Sequence, residues 1–275
     1  MKEYILPILI FLGFGALSGI LLLIASKVLA VKTDETEAKI TEALPGANCG
    51  GCGYSGCAGY AAAVAHDGAP TNLCKPGGAD VMKKINAIMG TEGGEFIREV
   101  AYVRCNGCEK ATKDRFTFTG TKSCAAVEKF YNGKGECRFG CDGYGDCVAV
   151  CSNDAITITD GVAVVDPAKC GGCGKCVTAC PNHLIFLRKE TSTVALRCSS
   201  KDSGKVTRTV CTNGCIGCKI CEKKCPHGAV IVADNHAVID YDKCTSCGTC
   251  VSACPRKCLV NITCTHSDKA EQADK

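Results

Sequence analysis

Nine cysteines of this 275-residue chain are followed, 74 residues later, by nine more at matching positions. The first copy consists of Cys124, Cys137, Cys141, Cys147, Cys151, Cys170, Cys173, Cys176 and Cys180. The second consists of Cys198, Cys211, Cys215, Cys221, Cys225, Cys244, Cys247, Cys250 and Cys254. A constant offset without insertion or deletion indicates an internal duplication. Any fold for this chain must therefore repeat one unit and explain what the cysteines bind.

Each copy ends in the same run, C-x2-C-x2-C-x3-C-P, at residues 170–181 and 244–255. Bacterial two-cluster ferredoxins have this spacing, in which three thiolates hold one [4Fe–4S] cubane and the fourth cysteine ligates its neighbour. Structural zinc sites prefer separated C-x2-C pairs, and disulfides are the other common use of a cysteine-rich composition. The third cysteine of every run and the odd total of 27 cysteines favour cubanes over both alternatives.

The rest of the composition agrees with a fold held together by metal. Aromatic residues make up only 5% of the chain and Trp is absent, so large apolar cores are not expected. Metal–thiolate bonds can supply the missing folding free energy. The formal charge is +4 with neutral cysteines, but five oxidised cubanes of about −2 each would change it to roughly −6. The mild basicity therefore gives no argument for a nucleic-acid partner, and we expect none.

The N-terminal segment Tyr4–Ser26 contains no charged side chain. As a helix it would be about 34 Å long, enough to cross a bilayer core. We therefore predict a transmembrane anchor in residues 1–32. Lys27 and Lys32 follow it and place the N-terminus outside and the remaining chain in the cytoplasm. A cleaved signal peptide is the alternative, although this apolar run is longer than usual for one.

Residues 33–100 are predicted to form a small helical domain around one set of four cysteines. We expect a short helix that ends before Pro45, an alanine-rich helix that ends at about His66, and a third helix within residues 79–100. The cysteines of the set are Cys49, Cys52, Cys57 and Cys74. Glycines between them let backbone amides approach the sulfurs and donate hydrogen bonds to them.

The remaining chain is predicted to form a first ferredoxin-like unit (residues 101–197), a second one (198–264) and a disordered tail (265–275). Each unit has a two-residue turn between alternating apolar residues, at Asp160-Gly161 and Asp234-Asn235, which predicts a β-hairpin. The expected fold class is α+β, with one N-terminal transmembrane helix, a small helical Fe–S domain and two tandem 2[4Fe–4S] units.

The cysteine spacing assigns two complete cubanes to the second unit. One is held by Cys215, Cys218, Cys221 and Cys254, and the other by Cys244, Cys247, Cys250 and Cys225. In the first unit, one cubane is assigned to Cys170, Cys173, Cys176 and Cys151. The other has Cys141, Cys147 and Cys180, but Tyr144 stands where the second unit has Cys218. We predict that Cys137 supplies the missing thiolate.

These five clusters use twenty of the 27 cysteines. A possible sixth cluster has Cys105, Cys124, Cys198 and Cys211 as its preferred ligands, with free thiols or a small zinc site as alternatives. The roles of Cys108, Cys258 and Cys264 stay open.

Several features together resemble the B component of the Rnf complex, in its longer polyferredoxin form. They are the apolar N-terminal segment, the polar, acidic-leaning connector of residues 33–45, the run from Asn48 through Cys57 to the C-x-P-G-G sequence at Cys74, and the downstream ferredoxin units. The resemblance covers nearly the whole chain. Shorter members of this family have one ferredoxin unit, whereas this chain has two.

The resemblance implies a subunit of a ferredoxin:NAD+ oxidoreductase in the cell membrane that couples electron flow to Na+ or H+ transport. Soluble ferredoxin would be the electron donor, and flavin-containing and NADH-binding membrane subunits would be partners. We find no complete substrate site on this chain itself. The alternatives are a polyferredoxin donor to a hydrogenase or heterodisulfide-reductase-like enzyme, and a metal-storing or zinc-bound interaction protein.

Overall fold

The computed structural model describes residues 12–24, 34–92 and 94–262. Cys264, the predicted tail, and residues 4–11 and 25–26 of the predicted membrane segment lie outside these residues. The central part of that segment, residues 12–24, is helical (α1) and exposed. Among the described residues, no helix combines the length and the apolar character needed to cross a membrane. The membrane anchor therefore stays a prediction.

Three helices form the small domain that follows: α2 (Glu35–Ala43), α3 (Cys57–His66) and α4 (Gly78–Met89). They confirm the three helices predicted from the sequence. Ile40, Tyr60 and Ile85 contribute one fully buried side chain from each helix to a common core. The buried Tyr60 hydroxyl donates a 2.7 Å hydrogen bond to the carbonyl of Pro70, so its polar group is satisfied.

The two ferredoxin units contain the same kinds of element in the same order. The first contains β1 (Glu99–Val103), α5 (Cys124–Tyr131), α6 (Asp146–Ala149), β2 (Ile156–Thr159), β3 (Val162–Val165), α7 (Lys175–Ala179) and β4 (Ile185–Lys189). The second contains β5 (Val194–Leu196), α8 (Gly204–Val210), α9 (Ile220–Lys224), β6 (Val230–Ala233), β7 (His236–Ile239), α10 (Thr249–Ala253) and β8 (Leu259–Asn261). This mixture of helices and strands agrees with the predicted α+β class.

Both predicted hairpins are confirmed. β2 pairs with β3 and β6 pairs with β7, in each case antiparallel and around the predicted two-residue turn. Asp160 and Gly161 have φ angles of 48° and 77°, and Asp234 and Asn235 have φ angles of 47° and 63°. Two successive left-handed residues are what a type I′ turn requires, and Asp, Asn and Gly tolerate that conformation best.

Each unit is closed by a second antiparallel pair, formed by its first and last strands. β1 pairs with β4, and β5 pairs with β8. β1 begins at Glu99 and β5 at Val194, so both sheets extend a few residues before the predicted starts of the units at 101 and 198.

Cysteine sulfurs are part of the core of both units. In the first unit, Val100, Leu184 and Ile185 pack with Cys147, Cys170 and Cys176. In the second, Val194, Leu196 and Leu259 pack with Cys215, Cys221 and Cys250. This packing agrees with the low aromatic content, because the cysteines and whatever they bind occupy the places where large side chains would otherwise lie.

Polar contacts hold the two units together. The Tyr241 hydroxyl lies 3.2 Å from the Tyr102 hydroxyl in β1. Arg188 in β4 is only 2% exposed and its guanidinium donates a 3.3 Å hydrogen bond to the carbonyl of Ile262, just after β8. The relative placement of the units is therefore fixed by buried groups as well as by the chain that connects them.

Candidate metal centres

The four cysteines of the helical domain lie around one pocket of about 310 Å³. Cys57 is the first residue of α3, and its N–H donates a 2.9 Å hydrogen bond to Oδ1 of Asn48, which fixes the loop between them. Burial raises the pKa of the Cys74 thiol, and the nearby sulfurs of the set raise it further. The structure therefore brings together the predicted set, which consists of Cys49, Cys52, Cys57 and Cys74.

A set in the first unit, which we call the outer set, also surrounds one pocket, of about 370 Å³. Its members are Cys151, Cys170, Cys173 and Cys176, as predicted from the spacing. The Ala101 N–H donates to Sγ of Cys170 at 3.3 Å, and the Ala155 N–H donates to Sγ of Cys151 at 3.4 Å. Such bonds orient the sulfurs and stabilise negative charge on them.

In the second unit, one pocket of about 330 Å³ is lined by Cys215, Cys218, Cys221 and Cys254, the predicted set. Cys258 lies in the same pocket, with its sulfur 3.4 Å from that of Cys254. The other predicted set lies around Cys250. Burial raises the pKa of the Cys250 thiol, with further contributions from the neighbouring sulfurs of Cys244, Cys225 and Cys247.

The inner set of the first unit differs from the prediction at one position. Its pocket, of about 370 Å³, is lined by Cys124, Cys141, Cys147 and Cys180, and Cys137 is not among the lining residues. Burial raises the pKa of the Cys147 thiol to about 12, with contributions from the other three sulfurs. The structure therefore places Cys124 where the sequence analysis placed Cys137.

Asp146 explains why Cys124 reaches this pocket. Its carboxylate accepts 2.9 Å hydrogen bonds from the N–H groups of Cys124 and Ala125 and from the Ser123 hydroxyl, all at the start of α5. Partial burial favours protonation of Asp146, but these bonds outweigh it and hold the pKa of the carboxyl below its usual value. Because Asp146 immediately precedes Cys147, it fixes Cys124 beside the inner set.

Cys137 lies in another group, with Cys105, Cys198 and Cys211. Burial raises the pKa of the Cys137 thiol to about 11, and the sulfurs of Cys211 and Cys198 contribute. Cys124, which the sequence analysis assigned to a sixth cluster with Cys105, is replaced in that group by Cys137. The two cysteines have thus exchanged places relative to the prediction.

The equal spacing of the cysteines concealed this exchange. The N–H of Arg104 donates to the Leu184 carbonyl, and that of Arg197 donates to the Cys258 carbonyl, both at 2.7 Å. Leu184 and Cys258 are 74 residues apart, whereas Arg104 and Arg197 are 93 apart. The structural counterpart of Cys198 is therefore Cys105, the residue after Arg104, and Cys124 belongs to the first unit alone. The matching sequences V-R-C at 103–105 and L-R-C at 196–198 could have revealed this.

The sets follow one another through the molecule. A Cβ added to Gly51 would lie 2.9 Å from the carbonyl oxygen of Cys173 and 3.5 Å from Sγ of Cys49. The loop of the helical domain therefore touches the outer set of the first unit. Cys147 of the inner set contributes to the raised pKa of Cys176 in the outer set. The helical domain therefore adjoins the outer set, and the outer and inner sets share the packed core of the first unit.

Family models match the same regions. A family described as an Fe–S cluster matches residues 44–76. Two models of 4Fe–4S dicluster domains match the ferredoxin units, one over residues 214–259 and the other over residues 136–184 and 169–229.

Similar proteins extend over nearly the whole chain. The B component of the ion-translocating oxidoreductase complex of Methanosarcina acetivorans is 42% identical over 248 residues, which cover 90% of this chain and 94% of that protein. This chain belongs to the family of Rnf complex B components. Its counterpart in the Na(+)-translocating ferredoxin:NAD(+) oxidoreductase complex of Acetobacterium woodii is 43% identical, over 94% of this chain and 78% of its own. The counterpart in the proton-translocating complex of Clostridium ljungdahlii is 36% identical, over 93% and 91%.

The donor sets of this Rnf family member fit iron–sulfur clusters. Each consists of thiols, which iron prefers, and several sulfurs accept backbone N–H bonds of 3.3–3.4 Å. Within the described ranges, no three Cys, His, Asp or Glu side chains stand close enough together to hold a single metal ion. A cubane places its four ligands around an Fe4S4 body, so its sulfurs do not need to meet at one point.

Proposed function

We propose that this chain is the electron-transfer subunit of a membrane redox complex, taking electrons from reduced ferredoxin and passing them to membrane partner subunits. The partners would carry flavin and bind NADH, and would couple electron flow to Na+ or H+ transport. The observation that carries this proposal is the series of neighbouring cysteine sets that begins in the helical domain and continues through the first unit. The names of the relatives, which specify ferredoxin, NAD+ and ion translocation, support it.

Five of the proposed clusters are ligated by residues of the described pockets and sets. The ligands are Cys49, Cys52, Cys57 and Cys74; Cys124, Cys141, Cys147 and Cys180; Cys151, Cys170, Cys173 and Cys176; Cys215, Cys218, Cys221 and Cys254; and Cys225, Cys244, Cys247 and Cys250. Bound [4Fe–4S] clusters supply one-electron transfer over a wide range of potentials. The chain's own residues hold the sulfurs in place, exclude water and donate hydrogen bonds to them.

Electrons would enter at the second ferredoxin unit and leave through the helical domain. Cys218 and Cys247 are the exposed cysteines among the described residues, so both cubanes of the second unit lie where a soluble protein can approach. The helical domain follows the predicted anchor of residues 1–32 directly in the sequence. Its Cys49 set would therefore lie nearest to the membrane subunits of a single-pass protein whose Fe–S domains are cytoplasmic.

Rapid mixing of the isolated complex with reduced ferredoxin tests this function. The visible absorbance of the clusters should bleach within the mixing experiment, and NAD+ should then reoxidise them. A Cys74→Ser variant should still be reduced by ferredoxin but should fail to pass electrons to the other subunits. Unchanged onward transfer in that variant would contradict the proposed exit. Co-purification with a hydrogenase in place of flavin-containing subunits would favour a polyferredoxin donor to another enzyme.

A further inference from the structure

We propose that Cys105, Cys137, Cys198 and Cys211 bind a sixth [4Fe–4S] cluster, which the two ferredoxin units share. This inference deepens the proposed function and rests on it, because the site would join the electron paths of the two units. It differs from the set expected from the sequence at one ligand, since Cys137 takes the place of Cys124.

The segments that carry the four cysteines meet between the two units. A Cβ added to Gly107 would lie 3.5 Å from Sγ of Cys105 and 3.8 Å from Sγ of Cys211, so these two sulfurs lie on either side of that glycine. Arg138, the residue after Cys137, donates a 3.0 Å hydrogen bond to Asp202, four residues after Cys198. Sγ of Cys198 in turn accepts a 3.3 Å hydrogen bond from the N–H of Cys215, four residues after Cys211. These contacts bring the segments that carry the four cysteines together.

The two units contribute equivalent residues. Cys105 and Cys198 each follow an arginine, Arg104 or Arg197. The N–H of that arginine donates a hydrogen bond to the last strand's side of the two-stranded sheet that closes the unit, at the carbonyl of Leu184 or Cys258. Cys137 and Cys211 each precede by four residues the first cysteine of the inner set, Cys141 or Cys215. A duplicated protein can build a shared site in this way, because the same two positions of each copy face each other.

Hydrogen bonds clamp the loops that carry the cysteines. The Thr112 hydroxyl donates to the Val210 carbonyl at 2.8 Å, and the Thr212 N–H donates to the Ala111 carbonyl at 2.8 Å. The Asn213 amide donates to the Asn106 carbonyl at 2.9 Å. These bonds join the loop after Cys105 to the segment around Cys211, although these two cysteines lie 106 residues apart in the sequence. The site is thus built by the fold and does not depend on one flexible loop.

Three of the four cysteines are buried, Cys137 is half-buried, and two of the sulfurs accept backbone hydrogen bonds. Cys105, Cys198 and Cys211 are 6–7% exposed. The N–H of Gly107 donates to Sγ of Cys105 at 3.4 Å, and that of Cys215 donates to Sγ of Cys198 at 3.3 Å. Three buried thiols and the half-buried Cys137 match the other cubane sites of the chain, which also combine buried and half-buried cysteines, so a cubane is the cofactor class that fits.

The location gives the site its role. The backbone of Cys141 lies beside Cys105, and the N–H of Cys215 donates a hydrogen bond to Sγ of Cys198. Cys141 belongs to the inner set of the first unit and Cys215 to the corresponding set of the second. An electron moving between the units would therefore reside briefly on a cluster between these two sets. In each transfer one cluster is oxidised and the next is reduced by one electron, and no bond is made or broken.

Cys108 provides the matched control. It is half-buried and lies near Cys211, but its sulfur faces the Asn213 amide nitrogen at 4.0 Å, and it has no counterpart in the second unit, whereas Cys105 matches Cys198 and Cys137 matches Cys211. A Cys108→Ser variant should therefore keep all six clusters.

Native mass spectrometry of the full chain, purified without oxygen, tests the site by counting clusters. The unmodified chain should carry six, about 24 irons at four per cubane. Cys137→Ser and Cys211→Ser should each lose one cluster. The double variant should lose the same single cluster, about four irons, because both residues bind one cubane.

A loss of two clusters in the double variant would overturn the proposal, since it would place Cys137 and Cys211 in different cubanes. Five clusters in the unmodified chain, or zinc in the sixth position, would also overturn it, and this count holds even if the variants fail to fold. The proposed function would survive either result, because five cubanes and reduction by ferredoxin would remain. Failure of ferredoxin to reduce a six-cluster chain would overturn the function and leave the site intact.

Discussion

The backbone N–H of Cys215 donates a 3.3 Å hydrogen bond to Sγ of Cys198. Cys215 belongs to the inner set of the second unit, and Cys198 to the group that the two units share. One peptide group thus joins two thiolate sets. Cys141 and Cys105 form the corresponding contact in the first unit. Because Cys137, and not Cys124, lies in the shared group, this exchange of ligands determines how the two units are connected.

A Cys124→Ser variant should lose the inner cluster of the first unit, because Cys124 takes the ligand position that Tyr144 leaves open. A Cys124→Ser/Cys147→Ser double variant should lose no second cluster. Native mass spectrometry measures both counts. Ala125→Ser, the next residue of α5, is the control and should keep every cluster. Two clusters lost in the double variant would show that Cys124 and Cys147 bind different cubanes.

An Asp146→Ala variant should lower the free energy of unfolding by about 1–2 kcal/mol, as for the loss of a helix N-cap. It removes the acceptor of three hydrogen bonds at the start of α5. Urea denaturation of the full chain measures the change, and Glu136→Ala, an exposed carboxylate in the same unit, should have little effect. Equal effects of the two variants would contradict the role given to Asp146.

The same carboxylate should make the unit sensitive to acid. The folded-state pKa of Asp146 lies below its usual value, so the carboxylate contributes stability above the unfolded pKa of about 3.9. That contribution is lost as the pH falls through the folded pKa. The difference in unfolding free energy between wild type and Asp146→Asn should therefore be constant from about pH 6 to pH 8 and shrink below about pH 4. A difference that grows on acidification would contradict the lowered pKa.

A Gly51→Ala variant should slow electron transfer between the helical domain and the first unit without changing the number of clusters. The new methyl group would meet the Cys173 carbonyl at 2.9 Å, which is too close, so the two loops must move apart. Freeze-quench spectroscopy after mixing with reduced ferredoxin would follow the arrival of electrons at the Cys49 set. Gly94→Ala, whose Cβ would have an ordinary 3.5 Å contact with Asn72, should transfer electrons at the wild-type rate.

Two neighbouring residues of β4 should contribute very differently to stability. An Arg188→Met variant leaves the Ile262 carbonyl without its buried charged donor and should cost about 2–3 kcal/mol of unfolding free energy. Lys189 makes a 3.1 Å ion pair with the exposed Asp242, and Lys189→Met should cost less than about 1 kcal/mol. Comparable losses, measured by denaturation with clusters intact, would contradict this assignment of the contact between units.

Much of the fold followed from local patterns. The helices ending near Pro45 and His66 and the hairpins at Asp160 and Asp234 depend on turn chemistry and spacing, which are local, and the structure confirms them. Most ligand sets could be predicted for the same reason, because the cysteine triplets that form them are local in the sequence. Cys124 and Cys137 could not be placed in this way, because their positions depend on the Asp146 contact and on how one unit packs against the other. An equal spacing of 74 residues made Cys124 resemble the counterpart of Cys198, although Cys105 holds that place.

The closure of each unit by its own first and last strands also bears on how such a chain can lengthen. Because β1 pairs with β4 and β5 with β8, the two ends of each unit lie side by side. A unit can therefore be inserted into, or deleted from, a longer chain at these points without leaving any strand unpaired. An added unit must also form an interface with its neighbour. Two cysteines from each unit, placed face to face, would bind a metal cluster at that interface.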